Sequence, residues 1–178
     1  MTKEAPFAFK LYLITGGSLL DSSGEEDREA FFERIEAALE GGVRAVQLRE
    51  KALGGANLLE VAIELRELTS RYGALLFIND RVDVALLSNA DGVHLPSSGF
   101  DAKEVRDYLT ANNGGYLLLG VSTHSVREAE EAERAGADFI TFGPVFYTPS
   151  KADYGSPVGL ELLREAAWRV KIPVFALG

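Results

Sequence analysis

The residues best able to do chemistry in this chain are three cations and a set of small polar side chains near them. Gln47, Arg49 and Lys51 alternate along the end of an apolar run, so they share one face if that run is a strand. Lys151 follows Thr148 and Ser150, and Asn79 and Ser122 each close another apolar run. Arg49, Lys51 and Lys151, with Asn79, Ser122, Thr148 and Ser150 as neutral donors, form a cradle for a multiply charged anion such as pyrophosphate. Arg offers planar two-point contacts and Lys a point charge. Asp80 would repel a bare pyrophosphate, but it suits Mg²⁺, which takes one or two carboxylates and completes its shell with phosphate and water. The other reading of Asp80 is a salt bridge to Arg81 or Arg49.

These residues need elements to position them, and the pattern supplies strands and helices in alternation. Strand-length apolar runs occupy Lys10–Thr15, Ala45–Arg49, Leu75–Asn79, Gly92–Leu95, Leu117–Ser122, Phe139–Gly143 and Val174–Leu177. Between them, apolar residues recur at helical spacing, as in Phe31, Ile35, Ala38 and Leu39, before glycine stops such as Gly41-Gly42 and Gly136. Helix, glycine or turn, then buried strand recurs in Gly42-Val43-Arg44-Ala45, Asn89-Ala90-Asp91-Gly92 and Gly136-Ala137-Asp138-Phe139. Strands apolar on both faces are parallel strands covered by helices. Such repeats close into a (β/α)8 TIM barrel or form an open doubly wound sheet, and no Gly-rich phosphate fingerprint follows the first strand to favour the sheet. In a barrel, chemistry sits at the C-terminal ends of the strands. The polar residues named above, with His94 and His124, gather at five successive strand ends. Gly16–Asp27 and Thr148–Gly159, polar and rich in Gly, Ser or Pro, read as long loops, the second a lid.

Composition bounds the function. With 18 Lys+Arg against 27 Asp+Glu the net charge is −9, which argues against nucleic-acid or anionic-membrane binding. There is no Cys, so disulfides, thiolate catalysis and Cys-ligated zinc are excluded. No apolar run reaches membrane-span length, and the expected setting is the cytoplasm. The 178 residues predict one domain, 1–178, acting on small phosphate and pyrophosphate substrates, with a homo-oligomer left open.

At these residues the sequence resembles the thiamine phosphate synthase and TenI (thiazole tautomerase) superfamily. The resemblance lies in Gln47-Leu48-Arg49-Glu50-Lys51, in Ile78-Asn79-Asp80-Arg81-Val82-Asp83 and in Ala90-Asp91-Gly92-Val93-His94-Leu95. It continues in Gly120-Val121-Ser122-Thr123-His124, in Gly143 through Lys151, and in Lys171-Ile172-Pro173-Val174. It implies a transferase that joins a hydroxymethylpyrimidine pyrophosphate to a thiazole phosphate and releases pyrophosphate. Breaking of the C–O bond precedes capture of the pyrimidine cation. It also implies that Gln47, Arg49, Lys51, Asn79, Thr148 and Ser150 bind substrate, that Lys151, Ser122 and His124 act in catalysis, that Asp80 is an Mg²⁺ ligand, and that Gly178 begins the thiazole-phosphate site.

The match departs at one place. Where the family carries its second metal carboxylate this chain has Gly99, in Pro96-Ser97-Ser98-Gly99, with Asp101 two residues further on. That segment resembles the metal-free tautomerase branch, whose catalytic His falls at His124. A non-catalytic homologue that binds a phosphate ligand is the third reading. An eight-stranded barrel needs about 200 residues or more. The seventh strand pattern ends at the last residue, Gly178, which predicts a barrel truncated after strand 7 or completed by a partner.

Overall fold

The computed structural model describes residues 9–112, 114–148 and 157–178. Its elements run β1 (Leu13–Ile14), α1 (Glu25–Glu40), β2 (Ala45–Leu48), α2 (Gly55–Arg71), β3 (Leu75–Asn79), α3 (Val82–Leu87) and β4 (Gly92–Leu95). They continue with α4 (Ala102–Ala111), β5 (Leu118–Thr123), α5 (Val126–Arg134), β6 (Phe139–Phe142), α6 (Gly159–Arg169) and β7 (Val174–Ala176). The backbone gathers into two compact units, one within Phe7–Val93 and one built on His94–Gly178. No helix among the described residues is long and apolar enough to cross a membrane.

In the first unit β1, β2 and β3 pair in parallel in chain order, with Ile14 beside Gln47 and Leu48 beside Ile78. Every residue of β2 is buried, as are the three central residues of β3. Helices cover them with apolar stripes: Phe31, Ile35 and Leu39 from α1, and Leu58, Val61, Ala62, Leu65 and Leu68 from α2. In the second unit β5, β6 and β7 pair in parallel, again in chain order. Ile140 and Phe142 of β6 pack against Ala129 and Ala132 of α5 and Ala166 of α6. Small alanines let those helices approach the strand closely.

The repeated sequence pattern has a structural counterpart. α5 closes through Gly136 at φ +91, a left-handed conformation that costs glycine nothing, and Ala137 N–H then bonds the Ala132 carbonyl. The turn after α3 does the same with Asn89 at φ 52. The aspartate that follows each turn then clamps the preceding strand. Asp91 accepts from Leu76 N–H at 2.7 Å and pairs with Arg66 of α2. Asp138 accepts from Leu119 N–H at 2.8 Å and pairs with Arg106 of α4.

Five strands differ in their boundaries from the sequence pattern, and β2, β6 and β7 each end one residue early. β1 is two residues rather than six, and β5 starts and ends one residue later than its apolar run. The long loop expected over Gly16–Asp27 runs to Gly24 and is anchored midway. Leu19 is buried, and α1 begins at Glu25 once three acidic residues can face its N-terminus. The Thr148–Gly159 loop lies largely outside the described residues.

Candidate active site

In the first unit, the candidate residues stand at the C-terminal ends of β2 and β3, which the register sets side by side. Gln47 is buried within β2, and its Nε2 donates to the Tyr12 hydroxyl at 3.1 Å. Burial pushes that hydroxyl far above its usual range, against the bond from Gln47, so it stays protonated. Tyr12 is held edge-on to Phe77 at 5.4 Å. Arg49 is half-buried and Lys51 exposed, and neither forms an ion pair among the described residues. The Arg49 N–H donates to Thr15 Oγ1 at 2.8 Å, which ties the exit of β2 to that of β1.

Asn79 ends β3, and Asp80 follows it in the left-handed region at φ 66. A non-glycine residue there is uncommon and marks a constrained turn. Asp80 Oδ1 is buried and accepts no hydrogen bond. The salt bridge to Arg81 is not made, because Arg81 forks onto Asp83, at 2.8 Å to Oδ1 and 2.6 Å to Oδ2. An orphaned buried carboxylate oxygen is costly unless something charged meets it. Asp80 therefore fits a hard divalent cation held by one carboxylate, with the remaining ligands from phosphate and water. Among the described residues, no three acidic or histidine side chains gather as a protein-only metal cage.

The second unit brings Ser122 and His124 together with residues not singled out above. His94 lies inside β4 rather than at its end. Its Nε2 stands 3.0 Å from Ser122 Oγ and 3.5 Å from Thr141 Oγ1. Burial holds His94 down at about 3, so its ring is neutral at any physiological pH. His124 sits at the start of α5, where its N–H donates to Glu128 Oε2 at 2.7 Å. Ser125 caps the same helix by accepting from Glu128 N–H at 3.2 Å. The His124 ring meets the Gly143 carbonyl through Nδ1 and Ser97 Oγ through Nε2, the latter at 3.2 Å. A carbonyl can only accept, so Nδ1 carries the proton, and in the neutral ring Nε2 accepts from Ser97.

Thr148 Oγ1 is buried with no hydrogen-bond partner, a donor left for something beyond the chain's own groups. Gly178, at φ +109, lies against the backbone of Val145 and Phe146, where a Cβ would come within 2.9 Å of Val145 N. Asp101, two residues beyond Gly99, is engaged in a local role. It is the N-cap of α4, accepting from Lys103 N–H at 2.9 Å and Glu104 N–H at 3.1 Å. Ser150 and Lys151 lie outside the described residues.

Sequence reasoning passed over Glu50, Thr15, Ser97 and Thr141. Glu50 is only 2 % exposed although two cations flank it. The signal available was its place between them, where an acid is either an ion-pair partner or a buried acceptor.

Comparison with known proteins places this arrangement. Residues 11–178, which include every candidate residue, match the family described as thiamine monophosphate synthase. A relative from Geobacter sulfurreducens, provisionally named a thiamine-phosphate synthase, is 52% identical over 96% of this chain and 75% of its own length. The thiamine-phosphate synthase of Clostridium novyi is 41% identical over 96% of this chain and 78% of its own. The solved thiamine phosphate pyrophosphorylase from Pyrococcus furiosus superposes with a TM-score of 0.78 at 38% identity, covering 94% of this chain and 73% of that one. The fold class is the (β/α) barrel, as that structural match shows. With strand ends, motifs and fold in agreement, the chain belongs to the thiamine monophosphate synthase family.

Proposed function

We propose that this protein transfers the pyrimidinylmethyl group of a hydroxymethylpyrimidine pyrophosphate to the ring nitrogen of a thiazole phosphate, giving thiamine phosphate. The C–O bond to pyrophosphate breaks, and the electron pair leaves with the pyrophosphate. The thiazole nitrogen lone pair then closes the new C–N bond. The chain's part is to favour departure of that anion with charges already in place. Arg49, Lys51 and Lys151 supply positive charge, while Asn79, Thr148 and Ser150 supply donors. Gln47, fixed by Tyr12, presents its remaining amide atoms to the pyrimidine. Ser122 is oriented by the neutral His94. Mg²⁺, when bound, neutralises charge on the pyrophosphate oxygens, and Asp80 is the side chain that would hold it.

The observation that carries this reading is Asp80. Its oxygen is buried without a partner, on a turn in the left-handed region at the end of β3, while Arg81 is committed elsewhere. The test incubates the protein with both precursors, with Mg²⁺ or with EDTA, and measures thiamine phosphate and released pyrophosphate. Synthesis should need Mg²⁺ and fall at least about 100-fold in Asp80→Asn, the scale of removing one transition-state electrostatic contact. Failure of synthesis, unrepaired by Gly99→Asp, would overturn it.

One observation favours a second reading. His124 is fixed as the Nδ1–H tautomer by Gly143, with Nε2 basic, and Gly99 replaces a carboxylate. That suits proton transfer within a thiazole carboxylate phosphate, a metal-free isomerisation. Isomerase activity that survives EDTA and is lost in His124→Ala would establish it.

A further inference from the structure

We propose that Glu50 is a positioning residue for the anion site, a step that rests on reading Arg49 and Lys51 as pyrophosphate ligands. Its carboxylate is 2 % exposed, and each oxygen is spent on a main-chain donor of the segment after β1. Oε1 accepts from Gly17 N–H at 3.1 Å and Oε2 from Leu19 N–H at 2.8 Å. Leu19 is itself buried, which anchors the far end of that segment, and Thr15 Oγ1 accepts from Arg49 N–H at the near end.

The consequence is electrostatic as well as mechanical. An acid between two cations in sequence has an obvious local partner in either, and such a pair would cancel charge that the substrate needs. Here both oxygens are occupied by backbone N–H groups, and Glu50 forms no ion pair with Arg49 or Lys51 among the described residues. The same bonds fix the peptide from which both cations project. Glutamate is required rather than its amide, because two donors need two acceptor oxygens. Glutamine supplies one oxygen, and its NH2 would face the second N–H. The Leu19 N–H is buried and the Gly17 N–H partly so, and leaving either without an acceptor is costly, so the segment would give way.

The test compares wild type, Glu50→Gln, Glu50→Ala, Thr15→Val and Arg49→Ala. It measures inorganic pyrophosphate binding by calorimetry with Mg²⁺ present, amide hydrogen exchange at Gly17 and Leu19, and melting temperature. Glu50→Gln should weaken pyrophosphate binding about tenfold, the size of one lost hydrogen bond to a charged group, and Glu50→Ala should weaken it further. Exchange at Gly17 or Leu19 should quicken in both, and Thr15→Val should weaken binding in the same direction. Faster exchange or a lower melting temperature with unchanged pyrophosphate affinity would reduce Glu50 to a structural role and overturn the proposal. If Glu50→Ala does not fold, Glu50→Gln decides. If Arg49→Ala binds pyrophosphate as wild type does, the anion-site reading itself has failed and the proposal falls with it.

Discussion

Gly120 shows how little room the second unit leaves around its histidine. A Cβ there would lie 2.4 Å from Phe139 Cζ and 2.6 Å from His94 Nδ1, while the two rings already sit 5.6 Å apart. Neither neighbour is the free end of a flexible chain, so Gly120→Ala must displace a packed ring. The expected cost is about 1–3 kcal/mol by denaturant unfolding, the usual range for an overpacked core. Synthesis should fall as well, because His94 orients Ser122. Residue identity carried some of this site openly. The strand-end positions of Asp80, Arg49 and Asn79 were legible because a charged or amide group closing an apolar run stands out. Glu50 was not, since a buried acceptor and a surface carboxylate are spelled alike. Asp101 shows the same ambiguity: a carboxylate near a missing ligand position also caps a helix.

Elements were the most legible layer, because burial on both faces of a parallel strand and one stripe of a helix leave strong periodic signals. All seven strands expected from the pattern occur, with helices between them. The failures came where pairing, not side-chain pattern, decides length. β1 keeps two residues because only Leu13 and Ile14 find partners on β2. The Arg–Asp clamps make a prediction at this scale. Asp138 satisfies Leu119 N–H and Arg106 together, while Arg106 also donates to the carbonyls of Gly136 and Leu117. Asp138→Ala strands a backbone donor and a half-buried guanidinium, which should cost about 2–4 kcal/mol in urea unfolding. Asp91→Ala should cost about as much, since Arg66 and Leu76 repeat the arrangement. At α4 the cap can be separated from any metal role. Asp101→Ser preserves capping and should leave both stability and Mg²⁺ dependence unchanged in the synthase assay, whereas Asp101→Ala should lose about 1 kcal/mol. A shifted Mg²⁺ requirement in Asp101→Ser would return Asp101 to the metal.

For the whole molecule, barrel class followed from repetition, but which polar groups would be buried did not, because burial is set by neighbours distant in sequence. His94 is the clearest case, and it sets how the chain responds to acid. The chain has two histidines against 27 acidic residues, so between pH 5 and 6.5 few groups other than histidine titrate. Desolvation lowers His94 to about 3 in the folded protein, whereas the unfolded chain protonates it near 6.5. The unfolded state therefore binds the extra proton throughout that window. Stability is full above pH 6.5 and is lost as pH falls towards 3, at about 1.4 kcal/mol per pH unit once well below 6.5. From pH 7.5 to pH 5 the loss should be about 2 kcal/mol, read from urea midpoints in a His124→Asn background. Adding His94→Asn, which cannot take up the proton, should flatten the profile over the same window even if it lowers stability throughout. An undiminished slope in that variant would place the acid sensitivity elsewhere and remove the ground for treating His94 as a permanently neutral support for Ser122.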